Sequence, residues 1–485
     1  MRSIFSAILL VISLSIAGLA QSPPALSPLT RRFVSVDAPV VALTHVRVID
    51  GTGAPPREDQ TIVIDHGRIA AVGDASSTPL PAGAKVLDLK GDTVIPGLVG
   101  MHDHLFYPSQ FAENGAEGPV LLYNEMGFSF PRLYLACGVT TLRTTGSIEP
   151  YTDLSLKKLI DAGKTPGPTM YITGPYLEGA GSFTPNLHEL TGPADATRTV
   201  NYWASEGATS FKAYMHITRA ELKAAIDAAH AHGLKITGHL CAVGFTEAAA
   251  LGIDNLEHGL FVDTEFVPGK KPDVCPPQTL TGKTMASLDI ESAPVQKMIR
   301  DLVSHHVAVT STLPVFELSV PGRPPLEPRV LAALSPAARI DYLTIRAMVG
   351  ERTQSNAAVL LKKEMQFERD FVKAGGLLLA GEDPTGYGGD LAGFGDQREL
   401  ELLVQAGFTP VEAIHIATEN GARFMAVDSK IGTIAAGKDA DLVVIDGNPA
   451  KNINDIEKVR TVFKDGTGYD SARLIESVHG AVGLH

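Results

Sequence analysis

From residue 41 to residue 97, apolar and polar positions alternate with a period of two, through VALTHVRVID, TIVIDHGRIAAVG and AKVLDLKGDTVIPG. That period predicts strands with one buried face, and Asp50-Gly51, His66-Gly67 and Lys90-Gly91 supply turns between them. The same texture returns in IGTIAAGKDADLVVIDGNP and VRTVFKDG near the far end. Two strand-rich ends around a long middle predict one discontinuous module, with an N-terminal part over 41–97 and a C-terminal part over 426–470. Between them short apolar runs alternate with helical stretches: VTTLRTTG, PTMYITGPY and ATSFKAYM, then ELKAAIDAAHAHG, LKITGHL, IDNLEHGL, VAVTSTL and GLLLAGED. Such alternation predicts an α/β protein with a parallel barrel over 98–425, whose chemistry sits at the C-terminal ends of the strands. Two stretches exceed a minimal barrel, 262–292 after the sixth strand and 315–370 after the seventh. Both are placed either to roof an active site or merely to decorate the surface.

The first twenty residues break this pattern. Arg2, an apolar stretch from Ile4 to Ile16, and Gly18-Leu19-Ala20 read as a secretory signal over 1–20, which predicts a secreted or periplasmic protein with no membrane contact once the signal is removed. The 485 residues are 44% hydrophobic and 20% charged, which excludes a disordered or collagenous chain. A formal net charge of -13 without a basic run argues against nucleic acid as a partner. Cys137, Cys241 and Cys275 are odd in number, so they cannot form a fully paired framework, and cysteine chemistry is a poor candidate for the function.

Chemistry concentrates at the predicted strand ends. In VIPGLVGMHDH, His102 and His104 stand two residues apart and share one face of a strand, while Asp103 points the other way. Two imidazoles on one face make half of a metal site. His239 ends LKITGH, His258 ends IDNLEH, and Asp383 ends GLLLAGED. Four imidazoles and a carboxylate suit a divalent ion such as zinc. His230, His232, His305, His306 and His415 lie at helix or strand margins and read as solvent or packing residues. Lys212 is a cation midway along the apolar strand ATSFKAYM, with Ser210 and Tyr214 on its face and Phe211 and Ala213 on the other. Either it is salt-bridged in the barrel mouth, or burial lowers its pKa until the amine takes up carbon dioxide as a carbamate, an oxygen ligand able to bridge two metals.

Together PGLVGMHDH, Lys212, His239, His258, Asp383 and IGTIAAGKDADLVVIDGNP resemble the amidohydrolase superfamily, in the branch similar to imidazolonepropionase and the Xaa-Pro dipeptidases, across residues 41 to about 465. The resemblance implies a (β/α)8 TIM barrel beside a small β-sandwich made from both chain ends. It implies two divalent ions, zinc being expected, one held by His102, His104 and Asp383 and the other by His239 and His258, with carbamylated Lys212 and a hydroxide between them. Asp383 would then be the general base and acid of amide hydrolysis. Two positions depart from the family pattern, Leu142-Arg143-Thr144 and Gly381-Glu382-Asp383; neither removes a ligand.

The expected partner is a small-molecule amide, of dipeptide or N-acyl amino acid type or a mycotoxin amide such as ochratoxin, and a homo-oligomer is expected. Tyr214, His216 and Arg398, the last expected in the loop after strand eight, are the candidate donors to a substrate carboxylate. Competing readings are a lactam hydrolase, a mononuclear deaminase and a non-catalytic structural relative. The deaminase reading leaves Lys212 unexplained and finds Ala242 where a proton-shuttling Glu is usual. The structural reading conflicts with the full ligand set.

Overall fold

The computed structural model describes residues 25–115, 118–182 and 184–483, so the expected signal over 1–20 lies outside the described residues. The alternating N-terminal segment forms the strands Val40–Val48, Arg57–Asp65, Arg68–Asp74, Lys85–Asp88 and Thr93–Pro96, and the C-terminal one forms Leu442–Ile445, Val459–Lys464 and Thr467–Asp470. With Val34–Val36 they hydrogen-bond into one nine-stranded sheet. Thr93–Pro96 is its joint, antiparallel to Leu442–Ile445 on one edge and parallel to Arg47 and Val48 on the other. His66-Gly67 and Asp465-Gly466 both have positive φ at each residue, the tight-turn geometry that follows the twist of a hairpin. Val41, Leu43, Ile62, Ile64, Leu442, Val444 and Phe463 are buried together as a core of their own.

Val40–Val48 meets Lys85–Asp88 along its first half and Thr93–Pro96 along its last, with a register shift around His45, whose φ is 59°. One bulged strand thus keeps the ladder continuous.

In the middle of the chain, every apolar run named above becomes a parallel strand. Val139–Thr144 lies between Leu98–Asp103 and Thr169–Tyr171, and a second arc runs Thr173–Leu177, Ser210–Ala213, Lys235–Gly238, Asn255–Glu257, Ala308–Ser311 and Leu378–Ala380. Helices such as Pro193–Glu206, Arg219–Ala231 and Phe394–Ala406 alternate with them, the second opened by a Thr218/Glu221 capping box. The fold is therefore α/β and TIM-barrel-like.

The expected closed ladder is not seen among the described residues. The third strand breaks at Ile172, and the last, only Leu378–Ala380, ends before it can form a ladder with the first. Strands eight and one nevertheless touch: the Asp383 amide donates to the His102 carbonyl at 2.9 Å. Gly381 permits this approach, because a Cβ there would lie 2.4 Å from that of His102.

The additions after strands six and seven are ordered elements. The first carries the helix Gln278–Ser287 and is tied to the loop after strand five by a Cys241–Cys275 disulfide, leaving Cys137 as a buried free thiol. Leu313–Glu317, Pro328–Ala333 and Pro336–Gly350 make up the second, ahead of the helix Ala357–Lys373. Among the described residues, no helix is long and apolar enough to cross a membrane.

Candidate active site

Strand ends bring five of the six expected ligands to one place as ring and carboxylate neighbours, with the sixth, Lys212, among them. His102 and His104 have ring centroids 5.2 Å apart, His102 and His258 4.5 Å, and His239 and His258 4.4 Å. Asp383 reaches His104 Nε2 at 3.2 Å and His102 Nε2 at 3.7 Å through Oδ1, and His258 Nδ1 at 3.9 Å through Oδ2. Ligand atoms of His102, His258 and Asp383 lie within 4.8 Å of one another. Lys212 Nζ stands 3.2 Å from His102 Nε2. His258 and Asp383 both adopt left-handed backbone, φ 68° and 58°, a conformation that costs a non-glycine residue ~1–2 kcal/mol and turns each side chain sharply off its strand.

The cluster is buried, and burial sets its protonation. It lowers His104 to about 4 against the pull of Asp383, and His239 to about 3 with help from Lys212. His102 and His258 are lowered as well, by burial first and then by Lys212 and His239 respectively. All four rings are neutral near pH 7, the form that ligates. Burial alone would raise Asp383, but His102, His104 and His258 outweigh it and hold the carboxylate well below its ordinary range. Lys212, only 1% exposed, is brought down by burial to about 8. A usable fraction of neutral amine therefore exists near neutrality.

A divalent ion fits this donor set. His104 Nδ1 and His258 Nε2 are buried without a hydrogen-bond partner, although a buried ring nitrogen almost always has one. His258 Nδ1 is taken by Thr312 Oγ1 at 2.8 Å, which leaves Nε2 to ligate.

The remaining sequence candidates separate. The Tyr214 ring lies 5.0 Å from His239 and 4.7 Å from Tyr176, and burial pushes its phenol far up, so it keeps its proton as a donor. His216 sits one turn further out, its Nδ1 3.4 Å from the buried Glu178 carboxylate, which raises its pKa. Arg398 lies on the helix Phe394–Ala406 and not in a loop. Its Nε and Nη2 donate to Glu317 at 2.9 and 2.8 Å, and its Nη1 donates to Glu401. Its guanidinium is thus committed to the second insertion. His230 and His232 make only local contacts, with Asp254 and Asn201.

Sequence reading passed over several residues. Glu257, fully buried, accepts from His102 Nδ1 at 2.8 Å and from Arg143 Nη2 at 2.8 Å. An acid directly before His258 was the available signal, and it drew no notice beside the histidine. Phe106 stacks on His104 at 4.4 Å, and Phe316 lies 5.6 Å from His258 while stacking on Phe261 at 3.7 Å. The second insertion therefore meets the turn Gly259–Phe261 beside a candidate ligand. Behind the strands Asp103, Glu382 and Asp396 form a second buried group, facing away from the imidazoles as the strand alternation requires. A cavity of about 460 Å³ lies elsewhere, lined by Gly244, Glu265, Lys270 and Lys297 among others and by none of the six ligand candidates.

The amidohydrolase family model matches residues 346–467, a span that includes Asp383 and the sheet strand Leu442–Ile445. Among solved structures, a candidate prolidase from Bifidobacterium longum is 25% identical over 90% of this chain and 98% of its own, with a TM-score of 0.63. These matches make the chain similar to the amidohydrolase family. Two further structures share the fold of this chain. A Xaa-Pro dipeptidase with methionine bound in its active site is 21% identical over 89% of this chain and 100% of its own, TM-score 0.65. A bottromycin amidohydrolase is 21% identical over 96% and 95%, TM-score 0.68. No curated protein sequence matches this chain.

Proposed function

We propose that this chain is an exported, metal-dependent hydrolase of C–N amide bonds whose substrate releases an amino acid. The observation that carries the reading is the convergence of His102, His104, His258 and Asp383, with orphaned ring nitrogens, around the buried Lys212. His102, His104 and Asp383 would hold one ion, His239 and His258 a second, and a carbamate on Lys212 would contribute oxygens to both, zinc being the expected metal. When bound, the ions supply Lewis acidity toward the amide carbonyl and lower the pKa of a water.

The chain's own groups account for the rest. Asp383, held ionised by three imidazoles, takes a proton from the attacking water and passes it to the amide nitrogen as the C–N bond breaks. Tyr214, with its phenol proton retained, and His216, made more basic by Glu178, face a substrate carboxylate. Phe106, Phe261 and Phe316 keep the imidazole cluster apolar at its rim and limit water there. The neighbours named for prolidase, Xaa-Pro dipeptidase, ochratoxinase and bottromycin amidohydrolase chemistry support amide substrates of this kind. Domain limits of 41–97 and 426–470 for the sheet module and 98–425 for the barrel belong to the same proposal, as does removal of residues 1–20.

The test is a hydrolysis screen of zinc-reconstituted protein over dipeptides, N-acyl amino acids and cyclic amides, run beside elemental analysis. Two metal equivalents with turnover of substrates bearing a free carboxylate are expected. One equivalent at full activity ends the binuclear reading. Equal hydrolysis of carboxylate-free amides ends the amino-acid reading in favour of a lactam or neutral amide.

A further inference from the structure

We infer that Glu257 and Arg143 are positioning residues which fix the tautomer and aim of His102, an inference that rests on His102 being a metal ligand. Glu257 has no exposed surface and Arg143 is 3% exposed, so neither charge is solvated and each depends on the other. Glu257 Oε1 accepts from Arg143 Nη2 at 2.8 Å and from the Thr237 hydroxyl, while Oε2 faces His102 Nδ1 at 2.8 Å. Paired with the Arg143 guanidinium out of reach of solvent, Glu257 is placed as a carboxylate. An ionised carboxylate only accepts, so His102 Nδ1 must be the donor, and the Nε2 lone pair is then bare. Nε2 is the atom that faces Lys212 and Asp383.

The same arginine holds the backbone beside that ring. Arg143 Nε donates to the Met101 carbonyl at 3.0 Å, and Thr145 Oγ1 reaches the same carbonyl at 2.9 Å. Strand two thereby grips strand one at the residue before His102, while strands five and six, through Thr237 and Glu257, grip the ring. Four strands converge on one imidazole. A carboxylate on the far nitrogen also makes an imidazole a stronger ligand, and losing such a partner typically weakens metal binding ~10–100-fold. Arg143 supplies the charge that keeps Glu257 ionised in this setting. Neither residue touches the reacting atoms.

The test uses the full chain with histidine-selective ¹⁵N labelling and a zinc competition titration. In protein stripped of metal, His102 should carry its proton on Nδ1, with the signal assigned by its absence in His102→Gln. Glu257→Gln should lower zinc affinity ~10–100-fold and reduce kcat with little change in KM. Thr237→Val, which removes one of the hydrogen bonds to Glu257 and leaves its charge in place, gives a milder probe should Glu257→Gln not fold, and should shift affinity in the same direction. A folded Glu257→Gln or Thr237→Val with wild-type zinc affinity and only a lowered Tm overturns the inference. So does an Nε2–H tautomer in the wild type. Wild-type protein that binds no zinc defeats the hydrolase reading instead, while the tautomer measurement still decides whether Glu257 sets the proton on His102.

Discussion

Neighbouring acids at residues 382 and 383 have opposite surroundings, and their roles should separate accordingly. Asp383 reaches three imidazoles and is held ionised, whereas Glu382 faces Asp103 and Asp396, where burial first and Asp396 next push its carboxyl far up. Asp383→Asn should turn over ~10²–10⁴-fold more slowly in steady-state assays, the usual range for losing a general acid/base. Glu382→Gln should stay within a few-fold of wild type; the reverse result would place the eighth strand in the other register. Lys212→Met should lose one of two metal equivalents by elemental analysis, and short carboxylic acids added to Lys212→Ala should restore part of its activity. At this scale the clustered residues were readable because each ends an apolar run, and Lys212 because a cation interrupts one. Glu257, Thr237 and Thr312 were not, since a residue that orients a ligand from another strand has no spacing relation to it.

Elements tell a similar story with a different failure. Period-two alternation located the outer strands, and every apolar run in the middle became a strand of the parallel layer. Register between distant strands leaves no such trace, so neither the single nine-stranded sheet nor the break at Ile172 is legible before the chain folds. Cysteine counting missed the pair that forms. Cys241 follows His239 by two residues, and its bond to Cys275 pins the first insertion against that loop, assisted by Thr264 Oγ1 and Lys270 Nζ on the Cys241 and Ala242 carbonyls, each at 2.6 Å. Closing a loop with a sequence separation of 34 is worth about 4 kcal/mol in the chain-entropy account. Cys275→Ser should therefore lower Tm by several degrees in scanning calorimetry. A thiol reductant should do the same to the wild type and nothing further to the variant.

Across the whole molecule, buried acids dominate the dependence of stability on pH. Burial raises Glu368 to about 8, and Asp153 and Asp396 to about 7, each against the opposing pull of a hydrogen bond. In the unfolded chain such groups release their protons near pH 4. Between about pH 4 and pH 8 the folded state therefore holds protons that the unfolded state has lost, and stability declines as pH rises through that window. Tm measured from pH 5 to pH 8 should fall steadily, and Glu368→Gln should flatten the slope between pH 6 and pH 8. A Tm that climbed over this range would mean that these carboxyls are ionised when folded.

The joint strand Thr93–Pro96 has one partner close behind it in the chain and another nearly 350 residues ahead, Leu442–Ile445, and it runs on through Gly97 into the strand that carries His102. A ribosome delivers those partners at very different times. Through most of synthesis the apolar edge Val94-Ile95 faces no neighbour, open to any other strand that can dock there. Maturation of the histidine cluster is thus governed by arrival of the C-terminus, and a chaperone able to mask an extended apolar strand should decide how much of the newly made chain reaches its native form.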